Sequence, residues 1–173
     1  VADWDPDGAG PLTRDGDDDI GVFDPGTSAL PTSTLRRDLN GDRLLQAGTE
    51  QTTYFGAADA TDQPITGNFG GTGAVFGVYR PSTNRFSLDV NDNGTSGGDA
   101  VRAGWGSSNS LKGVVGNWNG TGPVDVGIFT PRGANGPFLG NWTIDLDGEG
   151  DNDEVTVSFD GSIGRIPRCA SAR

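Results

Sequence analysis

The chain repeats one pattern three times, and this limits its fold more than any other property. Three stretches share a motif: Ile20-Gly21-Val22-Phe23-Asp24-Pro25, Phe76-Gly77-Val78-Tyr79-Arg80-Pro81 and Val126-Gly127-Ile128-Phe129-Thr130-Pro131. A second set precedes them: Ala2-Asp3-Trp4-Asp5-Pro6-Asp7-Gly8, Gly67-Asn68-Phe69-Gly70-Gly71-Thr72-Gly73 and Gly116-Asn117-Trp118-Asn119-Gly120-Thr121-Gly122. A third set follows: Asp38-Leu39-Asn40-Gly41-Asp42, Asp89-Val90-Asn91-Asp92-Asn93-Gly94 and Asp145-Leu146-Asp147-Gly148-Glu149-Gly150. Tyr54-Phe55-Gly56, Gly104-Trp105-Gly106 and Ser158-Phe159-Asp160-Gly161 close the units. Motifs that keep one order at a period of about 50 residues mark a repeat architecture, in which each unit buries its apolar face against the next.

Each unit reads as four short strands. The first runs into the aromatic of the second motif set, as from Gly113 to Trp118. The next is the Gly-Val-Tyr run, stopped by a proline that cannot donate to a ladder. The third and fourth alternate apolar and polar residues, as in Trp142-Thr143-Ile144-Asp145-Leu146 and Val155-Thr156-Val157-Ser158-Phe159. Gly, Asn and Asp clusters between them supply the turns. The expected fold is all-β: three four-stranded antiparallel, propeller-like blades, forming an incomplete ring or a stacked array. The expected units are 1–63, 64–111 and 112–161, with 162–173 holding the place of the first strand of a further blade or of an exchanged tail. Unit one carries extra residues from Ala9 to Asp19, read as a surface loop insertion. Trp4, Phe69 and Trp118 share one repeat position and Phe23, Tyr79 and Phe129 another. Such equivalence predicts core packing, as does strand alternation for Trp105 and Trp142.

Composition agrees with turns and strands. Thirty Gly and ten Pro stand against a hydrophobic content of 32%. No apolar run approaches the roughly 20 residues of a membrane-spanning helix. The net charge is −12, and 21 of the 24 acids are Asp, a turn former. Such a chain is repelled by phosphate backbones, so nucleic acid is not an expected partner. There is no His, which removes Ser-His and Cys-His catalysis and imidazole metal sites. With 24 acids some carboxylate pair always lies near a hydrolytic separation, so pairing carries no signal; a non-enzymatic protein is expected. The single Cys169 makes no internal disulfide.

The succession Gly-Asn-Trp-Asn-Gly-Thr-Gly, Val-Gly-Ile-Phe-Thr-Pro and Trp-Thr-Ile-Asp-Leu-Asp-Gly-Glu-Gly, ending on a Phe-Gly-like pair, resembles the FG-GAP/VCBS-type repeats of bacterial extracellular proteins. The resemblance covers essentially the whole chain. It implies a propeller-like blade, a secreted or cell-surface location, calcium in the Asp-rich loops, and adhesion or carbohydrate-binding settings.

The residues of those loops suit Ca²⁺ on their own chemistry. Calcium takes six to eight oxygens, and alternate positions of a tight loop converge on one point. Asp89, Asn91 and Asn93 have this spacing, with Gly94 permitting the sharp turn and Asp99 placed to close the shell. Asp145, Asp147 and Glu149 repeat it, closed by Asp151 or Asp153. Asp38, Asn40 and Asp42 keep three candidate ligands, and Asp3, Asp5 and Asp7 form a fourth set. Asn117, Asn119, Thr121 and Asp125 make a less charged version. Asp, Asn and Gly also make hairpin turns without any ion, and that alternative stays open. The open strand edges at both ends of the array predict self-association or docking into a larger cell-surface assembly. A lectin-like module that binds a glycan between blades is the alternative, as is an accessory domain of a larger secreted enzyme.

Overall fold

A computed structural model describes residues 20–38, 44–46, 51–70, 73–91, 93–95, 101–105, 108, 110–131, 140–146 and 155–159. The first strand expected for unit one, its insertion, and the segment 162–173 lie outside the described residues.

Among the described residues the chain is all-β and contains no helix. Eleven strands form three antiparallel sheets, each a simple meander. Sheet 1 holds β1 (Gly21–Asp24), β2 (Thr32–Arg37) and β3 (Gln51–Ala57). Sheet 2 holds β4 (Gln63–Gly67), β5 (Val75–Arg80), β6 (Arg85–Leu88) and β7 (Val101–Ala103). Sheet 3 holds β8 (Lys112–Gly116), β9 (Asp125–Pro131), β10 (Gly140–Ile144) and β11 (Val155–Phe159). No closed ring forms among these strands.

The registers are equivalent from sheet to sheet. Gly77 of β5 stands opposite Ile65 and Leu88, and Gly127 of β9 stands opposite Val114 and Ile144. A repeated hydrogen bond marks the same point in all three sheets. The N–H of Asp38 donates to the Ile20 carbonyl (3.0 Å), that of Asp89 to Phe76 (2.8 Å) and that of Asp145 to Val126 (3.0 Å). The repeat seen in the letters is therefore a repeat in backbone geometry.

Sheet 2 lies between the other two, which explains its least polar strand. Residues 75–79 of β5 are all buried. Phe76 and Val78 face sheet 1 and join Leu35 and Phe55 in one apolar cluster. Val75 and Tyr79 face the other way and join Phe86, Leu88, Trp105, Val126 and Ile128 in a second. A strand covered on both faces reads as a continuous apolar run, because neither set of alternating side chains meets water. Tyr79 and Phe86 stack at 4.6 Å between ring centroids, and Trp105 meets Phe86 edge-on at 5.5 Å.

The aromatics expected in the core divide by sheet. Phe69, Tyr79 and Trp105 are buried. Phe23, Trp118, Phe129 and Trp142 are only half-buried. The difference has a simple cause for Phe129 and Trp142: they occupy the face of sheet 3 turned away from sheet 2, where no described sheet covers them.

Candidate functional site

Two of the acidic loops, those that begin at Asp89 and Asp145, sit where their sheet meets the preceding one. Asp38, Asp89 and Asp145 directly or closely follow β2, β6 and β10, the equivalent strands of the three sheets, and each is buried, at 1%, 0% and 0% exposure. Burying an ionised carboxylate is costly unless its oxygens are met by donors or by a cation. Two of these loops show how that is done.

At Asp89 the carboxylate turns back on its own loop. Oδ1 accepts the Asn93 N–H and Oδ2 accepts the Gly94 N–H, both at 3.1 Å. Asn91 Oδ1 also accepts the Asn93 N–H (3.0 Å), and Asn93 Oδ1 accepts both the N–H and the hydroxyl of Thr95 (2.9 Å each). Gly94 has φ of 82°, a left-handed conformation that glycine adopts without the Cβ penalty. The structure thus ties Asp89, Asn91 and Asn93 into one tight loop through amide-to-oxygen hydrogen bonds. Each oxygen has two lone pairs, so an amide bond to one of them does not exhaust its capacity toward a cation. Carboxylate and amide oxygens are the donor type that a hard divalent ion takes. The loop also reaches across a sheet boundary: the Tyr54 N–H, on the edge strand β3, donates to the Gly94 carbonyl (3.0 Å).

At Asp145 an ion pair crosses the joint. Arg102, on the edge strand β7 of sheet 2, donates from Nη1 to Asp145 Oδ2 at 2.6 Å. A guanidinium already neutralises this buried carboxylate, so a metal at this loop would share Asp145 with Arg102. Asp125 lies close by. Its Oδ2 accepts the Trp118 N–H (3.2 Å) and its Oδ1 accepts Asn119 Nδ2 (3.4 Å). Asn119 Nδ2 also donates to the Leu146 carbonyl (2.8 Å), tying the two loops together. Burial pushes the Asp125 carboxyl above the ordinary aspartate range, and the charge of Asp145 adds to this. The Trp118 and Asn119 donors and the charge of Arg102 pull the other way without cancelling it.

Of the remaining candidate ligands, Asn40, Asp42, Asp99, Asp147, Glu149, Asp153, Asp3, Asp5 and Asp7 lie outside the described residues. Among the described residues no group of three or more His, Cys, Asp or Glu side chains converges on one point. Amide oxygens of the kind supplied by Asn91 and Asn93 are not part of such a group.

A second polar joint, between sheets 1 and 2, is not evident from the spacing. Arg80 holds Asp62 with two hydrogen bonds, Nε to Oδ1 and Nη2 to Oδ2, each 2.6 Å. Ser33 of β2 donates to the same Asp62 Oδ2 (2.6 Å), so the clasp spans the two sheets. This fork-on-carboxylate geometry is the strong form of an ion pair. The hydrogen bond to Asp62 holds the Arg80 guanidinium above its ordinary pKa, against the effect of burial. Asp59 flanks the clasp. Burial acts against its ionisation, but hydrogen bonds from Ser82 and Thr61 and the charge of Arg80 prevail, and its pKa lies below the usual value. The sequence signal was a departure from the repeat: Arg80 stands where the other units have Asp24 and Thr130. Between sheets 2 and 3 Gln63 does the corresponding work, donating to the Leu111 carbonyl (2.7 Å) and accepting the Gly113 N–H (3.1 Å).

Comparison with family models, with curated proteins and with solved structures finds no match for this chain. The functional reading therefore rests on the repeat and on the geometry of the sheet joints.

Proposed function

We propose that this chain is a non-enzymatic, calcium-stabilised extracellular repeat protein of the FG-GAP/VCBS kind, with its sheets as propeller-type blades, serving as an assembly or adhesion subunit. The observation that carries this reading is the recurrence of one buried carboxylate at three equivalent positions, Asp38, Asp89 and Asp145, two of them in contact with the edge strand of the preceding sheet or in the loop that makes that contact. Asp89, Asn91 and Asn93 are the described residues that would hold the ion. Calcium would offset the mutual repulsion of loop carboxylates and so stiffen the joint between sheets. An array of joined sheets presents loops and faces rather than a reactive centre, which suits binding and assembly.

The test is thermal unfolding in calcium and in chelator. A ligand that binds only the folded state at a hundredfold excess over Kd stabilises by about 2.7 kcal/mol. For a chain of this size that corresponds to roughly 5–10 °C in Tm, at about 2–4 °C per kcal/mol. Calcium is expected to raise Tm by this order, and Asp89→Ala to remove most of the response. Identical melting in calcium and chelator overturns the reading.

A further inference from the structure

The internal repeat allows each outer face to be compared with a covered counterpart in the same molecule. In sheet 2, Phe76 and Val78 face sheet 1 and are 3% and 2% exposed. In sheet 3 the equivalent Val126 and Ile128 belong to the covered core between sheets 2 and 3, at 1% and 5%. In sheet 1 the same two positions are Ile20 and Val22, and they are 36% and 53% exposed. A groove of about 460 Å³ crosses this face, with Asp24, Thr34, Arg36 and Thr52 among its lining residues. The residues in register with these on sheet 2 (Arg80, Arg85, Ser87 and Val101) line a groove of about 220 Å³ whose lining includes Phe55 of sheet 1. Where a neighbouring sheet is present, the same site is smaller.

The far face of sheet 3 shows the complementary situation. Tyr79 and Phe86 of sheet 2 are both fully buried beneath sheet 3. Their equivalents, Phe129 and Trp142, meet at 5.3 Å between ring centroids with their planes tilted by 48°, but are only half-buried. The described sheets thus carry both halves of one sheet-to-sheet contact, one on sheet 1 and the other on sheet 3.

We propose that a second copy of this chain covers these faces, the Ile20–Val22 face of sheet 1 in one copy stacking on the Phe129–Trp142 face of sheet 3 in the other. This contact rests on the assembly reading above and specifies it. The two faces are different surfaces, so the contact is heterologous. It closes into a ring if the rotation between copies allows and otherwise extends as a filament.

The contact is tested by light scattering and sedimentation on Cys169→Ser protein, which excludes disulfide-linked dimers. Wild-type surfaces are expected to associate into multiples of the 17.8 kDa chain. Val22→Asp places a charge at a position exposed enough to tolerate it, and is expected to weaken association about tenfold or more. Trp142→Asp, with its fold verified by circular dichroism, is expected to do the same from the other face. Mixing the two variants leaves one intact face on each, and they should form a 1:1 heterodimer that does not extend. The Val22→Asp measurement decides without the second variant. Association unchanged by Val22→Asp overturns the face pairing while leaving an assembly role intact. A wild-type chain that stays monomeric at high concentration overturns the pairing and the assembly role together, whereas the calcium reading is judged separately by the chelator melt.

Discussion

The central glycine of the repeated motif makes a sharp prediction, because two opposing effects act on it. Gly77 and Gly127 lie inside strands, where glycine is ordinarily about 0.5–1 kcal/mol worse than alanine. Neither has a left-handed φ, so backbone conformation does not demand glycine. The reason is close approach. A Cβ at Gly127 would lie 2.7 Å from the Thr143 carbonyl oxygen, 3.3 Å from Ile144 Cα and 3.4 Å from a Val114 methyl. The nearest atom is backbone of β10, which is paired on one side with β9 and on the other with β11, so it cannot swing away. Overpacking of this kind costs about 1–3 kcal/mol. Set against the propensity gain, Gly127→Ala should lose roughly 0.5–2 kcal/mol. At Gly77 the nearest atom is a Leu88 methyl at 2.7 Å, with the Ser87 carbonyl at 3.0 Å. A side-chain end yields more easily than a paired backbone, so Gly77→Ala should cost less than Gly127→Ala. Urea unfolding, with midpoint and slope compared across wild type and both variants, measures this. An alanine at 127 that leaves the protein as stable as wild type, or more so, refutes the close-approach account of the motif.

Three further outcomes follow from the joints and the core. Phe86→Ala empties a fully buried site between Tyr79 and Trp105 and should cost about 3–5 kcal/mol in the same urea assay. Asp59 has a folded-state pKa below its ordinary value, so its contribution is present above the ordinary pKa and lost as pH falls through the folded one. Asp59→Asn should therefore lower stability at neutral pH by a few tenths to about 1 kcal/mol, as expected for a partly exposed ion pair, and by progressively less as pH falls below the ordinary aspartate value. Asp125 has the opposite sign: its pKa is raised, so ionisation opposes folding as pH rises through the folded value. In chelator Asp125→Asn should melt above wild type at neutral pH and equal to it near about pH 3, a difference read directly from paired thermal melts.

Much of the architecture is legible in the amino-acid sequence. The order of four motifs at a near-constant period set out meandering antiparallel sheets, and the registers around Gly77 and Gly127 show why: identical turn chemistry and strand patterns pair in identical ways. The Asp89-x-Asn91-x-Asn93-Gly94 spacing marked a tight loop with a sharp turn at the glycine, and the structure has Gly94 left-handed there, with loop amides donating to Asp89. These are local properties, and local sequence encodes them. What tertiary structure decided concerns neighbours distant in the chain. That Asp145 meets Arg102 of another sheet, and that Arg80 clasps Asp62 together with Ser33, depends on which sheet lies against which. The same holds for the aromatics: Tyr79 and Phe129 occupy one position in the repeat, yet one is buried and the other half-buried. A repeat specifies the same face every time, but only the stacking of sheets determines which copies of that face are removed from water.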